Sequence, residues 1–183
     1  MGVCPVTSFA VKHPETVISM ILWWPVGGAK FRIRGHDRFN THLALVDAEG
    51  LEGVVKLAKS TDTGFGKDPR VGPWAPVIRT DKDFATAYSK LDVEQYKLII
   101  KGISRTLLDR DTAPGAEPED MLRFDIPTLI VPGKDIAHAT SAARYLEECI
   151  PGAEYWDIPP DEQQEENSSQ RVTEFLDKHT PAG

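Results

Sequence analysis

Apolar positions in this chain follow two rhythms. Three near-continuous runs, "TVISMILWW", "IPTLIVPG" and "AEYWDIP", are separated by stretches in which apolar residues recur every third or fourth position. A run without alternation reads as a strand buried on both faces, as in parallel sheets, and the three-to-four spacing reads as helix. Pro5 to Lys12 carries Val6, Phe9 and Ala10 at helical spacing, with Pro5 suited to a first turn. "HPE" breaks that helix, and Thr16 to Trp24 follows as the first strand. Pro25, Gly27 and Gly28 end it, and "VGG" reads as a turn that needs positive φ.

From Asp37 to Leu108 the pattern is mostly helical. Phe39, Leu43 and Val46 share one face, and Gly50 stops that helix. Leu51 to Ala58 forms a second, weaker helix. Ser60 to Pro76, rich in Gly, Pro, Thr and Asp, reads as a loop. Thr80 with Asp83 resembles a capping box opening a helix that carries Phe84, Tyr88 and Leu91. Asp92 caps another, with Tyr96, Ile99, Ile100, Ile103 and Leu107 on one side. "DTAPGAEPED" reads as a linker-like loop. After Phe124 the second strand, a helix over Thr140 to Ile150, the third strand and a helix over Glu165 to Lys178 follow in turn. The last of these packs Val172, Phe175 and Leu176. Strands alternating with helices predict an α/β fold: three parallel strands joined by right-handed crossovers, flanked by helices and carrying a helical insertion. The expected division is a core of residues 1–28 and 123–183 around an insertion, read as a cap or lid, at 29–122.

Composition narrows the function classes. The net charge of -7 repels phosphate backbones and anionic lipid, so neither nucleic acid nor a membrane is an expected partner. No apolar run is long enough to span a bilayer. The opening residues lack the charged and apolar blocks of a signal peptide. Cys4 and Cys149 make no disulfide framework, so a reducing, cytoplasmic setting is the expectation. "GFGKD" mimics a phosphate loop, but it lacks the spacing, the hydroxyl residue after Lys67 and a preceding strand.

The local sequences, taken in order, resemble the α/β-hydrolase family over nearly the whole chain. "FAVKHPETVISMILWWP" is similar to the segment that follows that family's nucleophile: a helix, then "HPE", then the sixth strand. "IPTLIVPGKD" resembles its seventh strand, "IPGAEYWDIP" the eighth, and "RVTEFLDKH" the closing helix. The resemblance implies that the insertion is the family's cap. It also implies that Gly2 falls on the last Gly of the G-x-S-x-G elbow and Met1 on the residue after the nucleophile. On that reading the nucleophile, the first five strands and half of the oxyanion hole lie upstream of this chain. The chain alone is then expected to be inert, and its first strand leaves a sheet edge that invites self-association.

What the resemblance implies for chemistry is specific. Asp135, in "PGKDIAH", takes the position of the triad acid, which would orient a histidine and stabilise its imidazolium. The plainer alternative is a loop Asp capping the helix near Thr140. The family usually has two residues between Gly and Asp, and here Lys134 stands alone. The family's base follows the eighth strand, but "IPPDEQQEENSSQ" holds no histidine. Gln163 lies near that place, and an amide takes no proton from a nucleophile. Glu162 or Asp161 could in principle act as base, but an acidic run opening a helix reads more simply as a favourable feature of the helix N-terminus. His138 is the remaining base or substrate-ligand candidate, or else a solvated first-turn residue. His179 reads as a solvated tail residue and His42 as a packed, satisfied one. Trp24 and Trp74 are the candidate substrate-binding residues, each with core packing as its alternative. Cys4 reads as a small buried thiol. No metal-ligand spacing is present and no cofactor is implied. The expected substrate is a small molecule bearing an ester or related bond, or, for a protein with a degenerate triad, a ligand merely bound under the cap.

Overall fold

In chain order the elements are α1 (Val3–Lys12), β1 (Met20–Trp23), α2 (Ala29–Ser60), α3 (Ala75–Thr80), α4 (Lys82–Ser89), α5 (Val93–Leu107), α6 (Pro118–Met121), β2 (Thr128–Val131), α7 (Thr140–Cys149), β3 (Glu154–Tyr155) and α8 (Glu165–His179). They are taken from a computed structural model that describes residues 2–112 and 114–180. Met1, expected beside a nucleophile, lies outside them. The chain divides into two compact units: Met1–Arg32 with Leu108–Gly183, which holds the sheet, and Ile33–Leu107, which is helical.

The sheet is parallel, in the order β1-β2-β3, with Met20 opposite Thr128 and Leu129 opposite Glu154. β2 is buried at every position. Alternation sends its side chains to two faces. Ile130, with Met20 and Leu22, packs among Ala10, Met121, Ala143, Leu146 and Ile150 on one side. Leu129 and Val131 pack on Phe175, with Ile21, Trp24 and Trp156 around them, on the other. Each fully buried large side chain of this kind contributes about 1.5–3 kcal/mol. Two helical layers therefore cover β2, which is why its sequence shows no polar face.

Several local expectations are corrected. The first strand is four residues long, because Pro14–Thr16 forms a 3-10 turn and Ile18 stays 58% exposed. α1 buries Thr7 and Ala10, whereas Val6 and Phe9 remain exposed beside Val17 and Ile21. Thr7 is tolerated inside because its hydroxyl donates to the Cys4 carbonyl and accepts from the Ala116 amide. Residues 114–120 are packed rather than linker-like: Ala116, and Met121 just beyond them, enter the core, and Gly115 lies so close to α1 that a Cβ there would stand 2.5 Å from the Thr7 hydroxyl. Cys4 is half-buried, and burial pushes its thiol up.

In the helical unit, Phe39, Leu43 and Val46 are buried as their spacing predicts, and Gly50 (φ 65°) breaks α2. α2 starts earlier than expected, at Ala29. α3 forms inside the stretch read as loop. Asp81, not Thr80, caps α4: its carboxylate accepts the Phe84 amide, while the Thr80 hydroxyl bonds back to the Pro76 carbonyl. α5 buries Tyr96, Ile100 and Ser104 and leaves Leu98, Ile99 and Ile103 exposed. The expected apolar side therefore straddles the buried stripe.

His42 is fully buried and satisfied, as read from the sequence. Its Nδ1 donates to the Arg70 carbonyl at 3.1 Å, and its Nε2 accepts from the Tyr96 hydroxyl at 2.7 Å. The Tyr88 hydroxyl donates in turn to Tyr96 at 2.7 Å. Burial pushes the imidazole pKa down, which keeps His42 neutral. Gly72 (φ 76°) covers the ring, 2.5 Å from where its Cβ would sit. Among the described residues no helix is long and apolar enough to cross a membrane.

α8 is tied to β3 by one carboxylate. Glu154 accepts from Arg171, from Lys178 Nζ at 2.7 Å and from His179 Nε2 at 3.1 Å. His179 is thus no solvated tail residue; its ring also lies 4.8 Å from that of Phe175. The Arg171 guanidinium foremost, then Lys178 and His179, hold Glu154 down at about 2, against an ordinary 4.5. A depressed carboxyl contributes stability that is complete above pH 4.5 and lost as acid takes the pH down towards 2. Glu154→Gln is expected to lower unfolding free energy at pH 7 by about 2 kcal/mol, since Glu154, Arg171 and His179 are each about three-quarters buried while Lys178 is mostly exposed. It should also flatten the acid limb between those pH values. Urea titrations followed by circular dichroism measure both, and an unchanged acid limb contradicts the assignment.

Candidate active site

The C-terminal ends of β1 and β2 converge on a cluster of four side chains. Trp24 follows β1 directly, and its amide still donates to the Val131 carbonyl at 2.9 Å. Its φ of 49° is the only positive value at a non-glycine among the described residues. This left-handed conformation costs a bulky residue about 1–2 kcal/mol. Three contacts hold it there: the indole Nε1 donates to Gln163 Oε1 at 2.9 Å, the ring packs on the Leu129–Val131–Phe175 cluster, and it lies 5.9 Å from the His138 ring. Core packing and proximity to the candidate chemistry are therefore both true of Trp24.

After β2 the chain turns through Gly133 and Asp135 into α7. Asp135 Oδ1 accepts from the Ala137 amide at 2.7 Å and the His138 amide at 2.8 Å, so its carboxylate shapes the turn. It is not the N-cap of α7, which is Ala139 without a side-chain bond. Both carboxylate oxygens also lie 2.9 Å from His138 Nδ1. A Cβ at Gly133 would stand 2.6 Å from the His138 Cβ and 3.3 Å from the Trp24 ring, so only glycine permits this closeness. On the other side Gly27, with positive φ as "VGG" predicts, donates to the Ala137 carbonyl at 2.8 Å, and Gly28 donates to the Asp111 carbonyl.

Gln163 clamps the cluster. Besides accepting from Trp24, its amide donates to the Pro132 carbonyl at 2.9 Å and the Ile158 carbonyl at 3.3 Å. The exits of all three strands are thereby joined through one side chain. Asp161, weighed as a base, is paired with Lys134 at 2.9 Å.

The electrostatics favour an ionised carboxylate. The His138 side chain foremost, with the two turn amides, holds the Asp135 carboxyl below its ordinary range. Asp135 is half-exposed and His138 about a quarter exposed. An imidazole bonded to a carboxylate through Nδ1 has Nε2 left to take a proton. Among the described residues no hydroxyl or thiol is hydrogen-bonded to His138, and no group of three His, Cys, Asp or Glu side chains is placed to hold a metal ion.

Sequence reasoning singled out Asp135, His138 and Trp24 as candidates, and the structure places these three side chains together. It noted Gln163 only as an amide that cannot be a base; a lone polar residue between strand and helix gave no signal of a clamp. Trp74 belongs to the helical unit, where it precedes α3 and lines an apolar pocket with Tyr88 and Tyr96. No protein-family model, curated protein or solved structure matches this chain.

The neutral His138 ring is expected as the Nδ1–H tautomer, read from long-range 1H–15N spectra. Asp135→Ala should shift it towards the Nε2–H form that free imidazole side chains prefer. Since the Asp135 carboxyl is depressed, the pairing is complete above its ordinary 3.8 and is lost only as acid passes the lower folded value. A wild-type spectrum dominated by Nε2–H contradicts the pairing.

Proposed function

We propose that this chain is the acid–base and lid-bearing part of an α/β-hydrolase-type enzyme that cleaves an ester or related bond in a small molecule. The observation that carries the reading is the Asp135 carboxylate on His138 Nδ1, at the C-terminal ends of parallel strands and beside Trp24. In this mechanism Asp135 holds the imidazole in one tautomer. His138 Nε2 takes the proton of a Ser or Cys nucleophile as it attacks the carbonyl carbon, then returns it to the leaving alcohol. Trp24 forms an apolar wall, and the helical unit acts as the lid. The reaction also needs a nucleophile and oxyanion donors, and among the described residues no hydroxyl or thiol is hydrogen-bonded to His138. The open edge of β1 favours self-association where it stays uncovered.

A second reading has one observation in its favour. Gln163, near the family position of the base, is committed to Trp24, Pro132 and Ile158. On that reading the protein binds a small ligand under a lid without turning it over.

The gene sequence upstream is expected to encode further strands, one ending in G-x-[Ser/Cys]. The protein carrying them should hydrolyse p-nitrophenyl esters, and His138→Ala should lower kcat by about 10³-fold or more. Turnover insensitive to His138→Ala sinks the assignment of the base. Tight ligand binding with no turnover sinks the enzyme reading in favour of the binding one.

A further inference from the structure

Tyr88 and Tyr96 close a buried hydrogen-bond chain on one side and floor a pocket of about 300 Å³ on the other. Phe84 walls the pocket, and Trp74, Leu91 and Ile99 form its rim. All of these belong to the helical unit, so the pocket is complete within that unit and owes nothing to Asp135 or His138. We propose that it is a binding site for a small, flat, apolar molecule of one or two fused aromatic rings.

Three features select that occupant. The lining is almost entirely carbon. A peptide segment laid into it would leave backbone N–H and C=O groups without partners, at a cost of several kcal/mol per group in an apolar setting. The floor hydroxyls are already committed, Tyr88 to Tyr96 and Tyr96 to His42, so no polar handle is offered to a ligand. The walls are aromatic. Tyr88 and Tyr96 meet edge to face at 82° with centroids 5.4 Å apart, and Phe84 stacks on Tyr88 at 6.0 Å. Such a corner receives a further ring by offset stacking and edge contact. The volume lies at the lower end of small-molecule sites, about 300–1,000 Å³.

The floor is also rigid. Gly72, His42 and the Arg70 carbonyl brace Tyr96 from behind, so the cup is preformed rather than opened by the ligand. The rim, by contrast, keeps large apolar side chains in water: Leu91 and Ile99 are each about half exposed. Covering them with a hydrocarbon surface is the favourable term in binding.

Naphthalene tests the proposal, titrated into the full chain and followed by 1H–13C NMR of the aromatic and methyl groups. Saturable one-to-one binding is expected, with shifts confined to Trp74, Phe84, Tyr88, Leu91, Tyr96 and Ile99. Ile99→Asp, at the rim and exposed enough to spare the fold, should weaken it at least tenfold. Leu98→Asp, on the same helix but outside the pocket, should leave it unchanged. Naphthalene-1,5-disulfonate should not bind. Absence of binding up to the solubility of naphthalene overturns the proposal, as do shifts spread over all exposed apolar side chains or equal weakening by both variants.

Discussion

β2 is the constraint on which the sheet-bearing unit depends. It alone has a strand on each side, every one of its residues is buried, and its side chains supply both apolar clusters. Pairing fixes its register, with Met20 to Trp23 against Thr128 to Val131. That register brings the exit of β1 beside the exit of β2, and so places Trp24 within reach of His138. A one-residue slip would turn every side chain of the strand to the wrong face. The candidate site is therefore a consequence of sheet register, and its own hydrogen bonds only refine it.

Refinement is nonetheless substantial. The turn after β2 is shaped by Asp135 accepting two backbone amides, pinned through Gly27 and cross-linked through Gln163. The same carboxylate orients His138. One group thus serves structure and chemistry together, which ties the order of the loop to the ionisation of Asp135. In the helical unit the hydrogen-bond chain from Tyr88 to the Arg70 carbonyl plays a comparable part, since it satisfies both ring nitrogens of a buried histidine and holds two aromatic rings at a fixed angle.

Much of this was legible before the fold. The unbroken apolar run of β2 marked a strand covered on both faces, because a strand without a wet side has no polar alternation; β1 and β3 come from similar runs yet keep partly exposed residues, since a run does not say how many layers cover it. Gly50 and "VGG" were readable because their backbone conformations exclude most other residues. The turn that carries Asp135 and His138 was legible from its place after a buried strand, whereas the roles expected of them came only from the family resemblance. Other features were hidden for physical reasons. Val6 and Phe9 have helical spacing yet stay in water, since spacing says which residues share a face and not which face is covered. Thr7 is buried because the Cys4 carbonyl and the Ala116 amide satisfy it, and the second of these partners lies over a hundred residues away in sequence. His179 pairs with Glu154 across 25 residues, and Gln163 with Trp24 across 139. Long-range polar pairs leave no periodic trace.

Amide hydrogen exchange of the β1 residues tests the register most directly. Met20 and Trp24 donate to the Pro127 and Val131 carbonyls, so alternate residues of β1 turn their amides towards β2 and the others turn away. Slow exchange is expected at Met20, Leu22 and Trp24 and fast exchange at Ile21 and Trp23. Equal protection along the whole of β1, or the reverse alternation, would contradict this register.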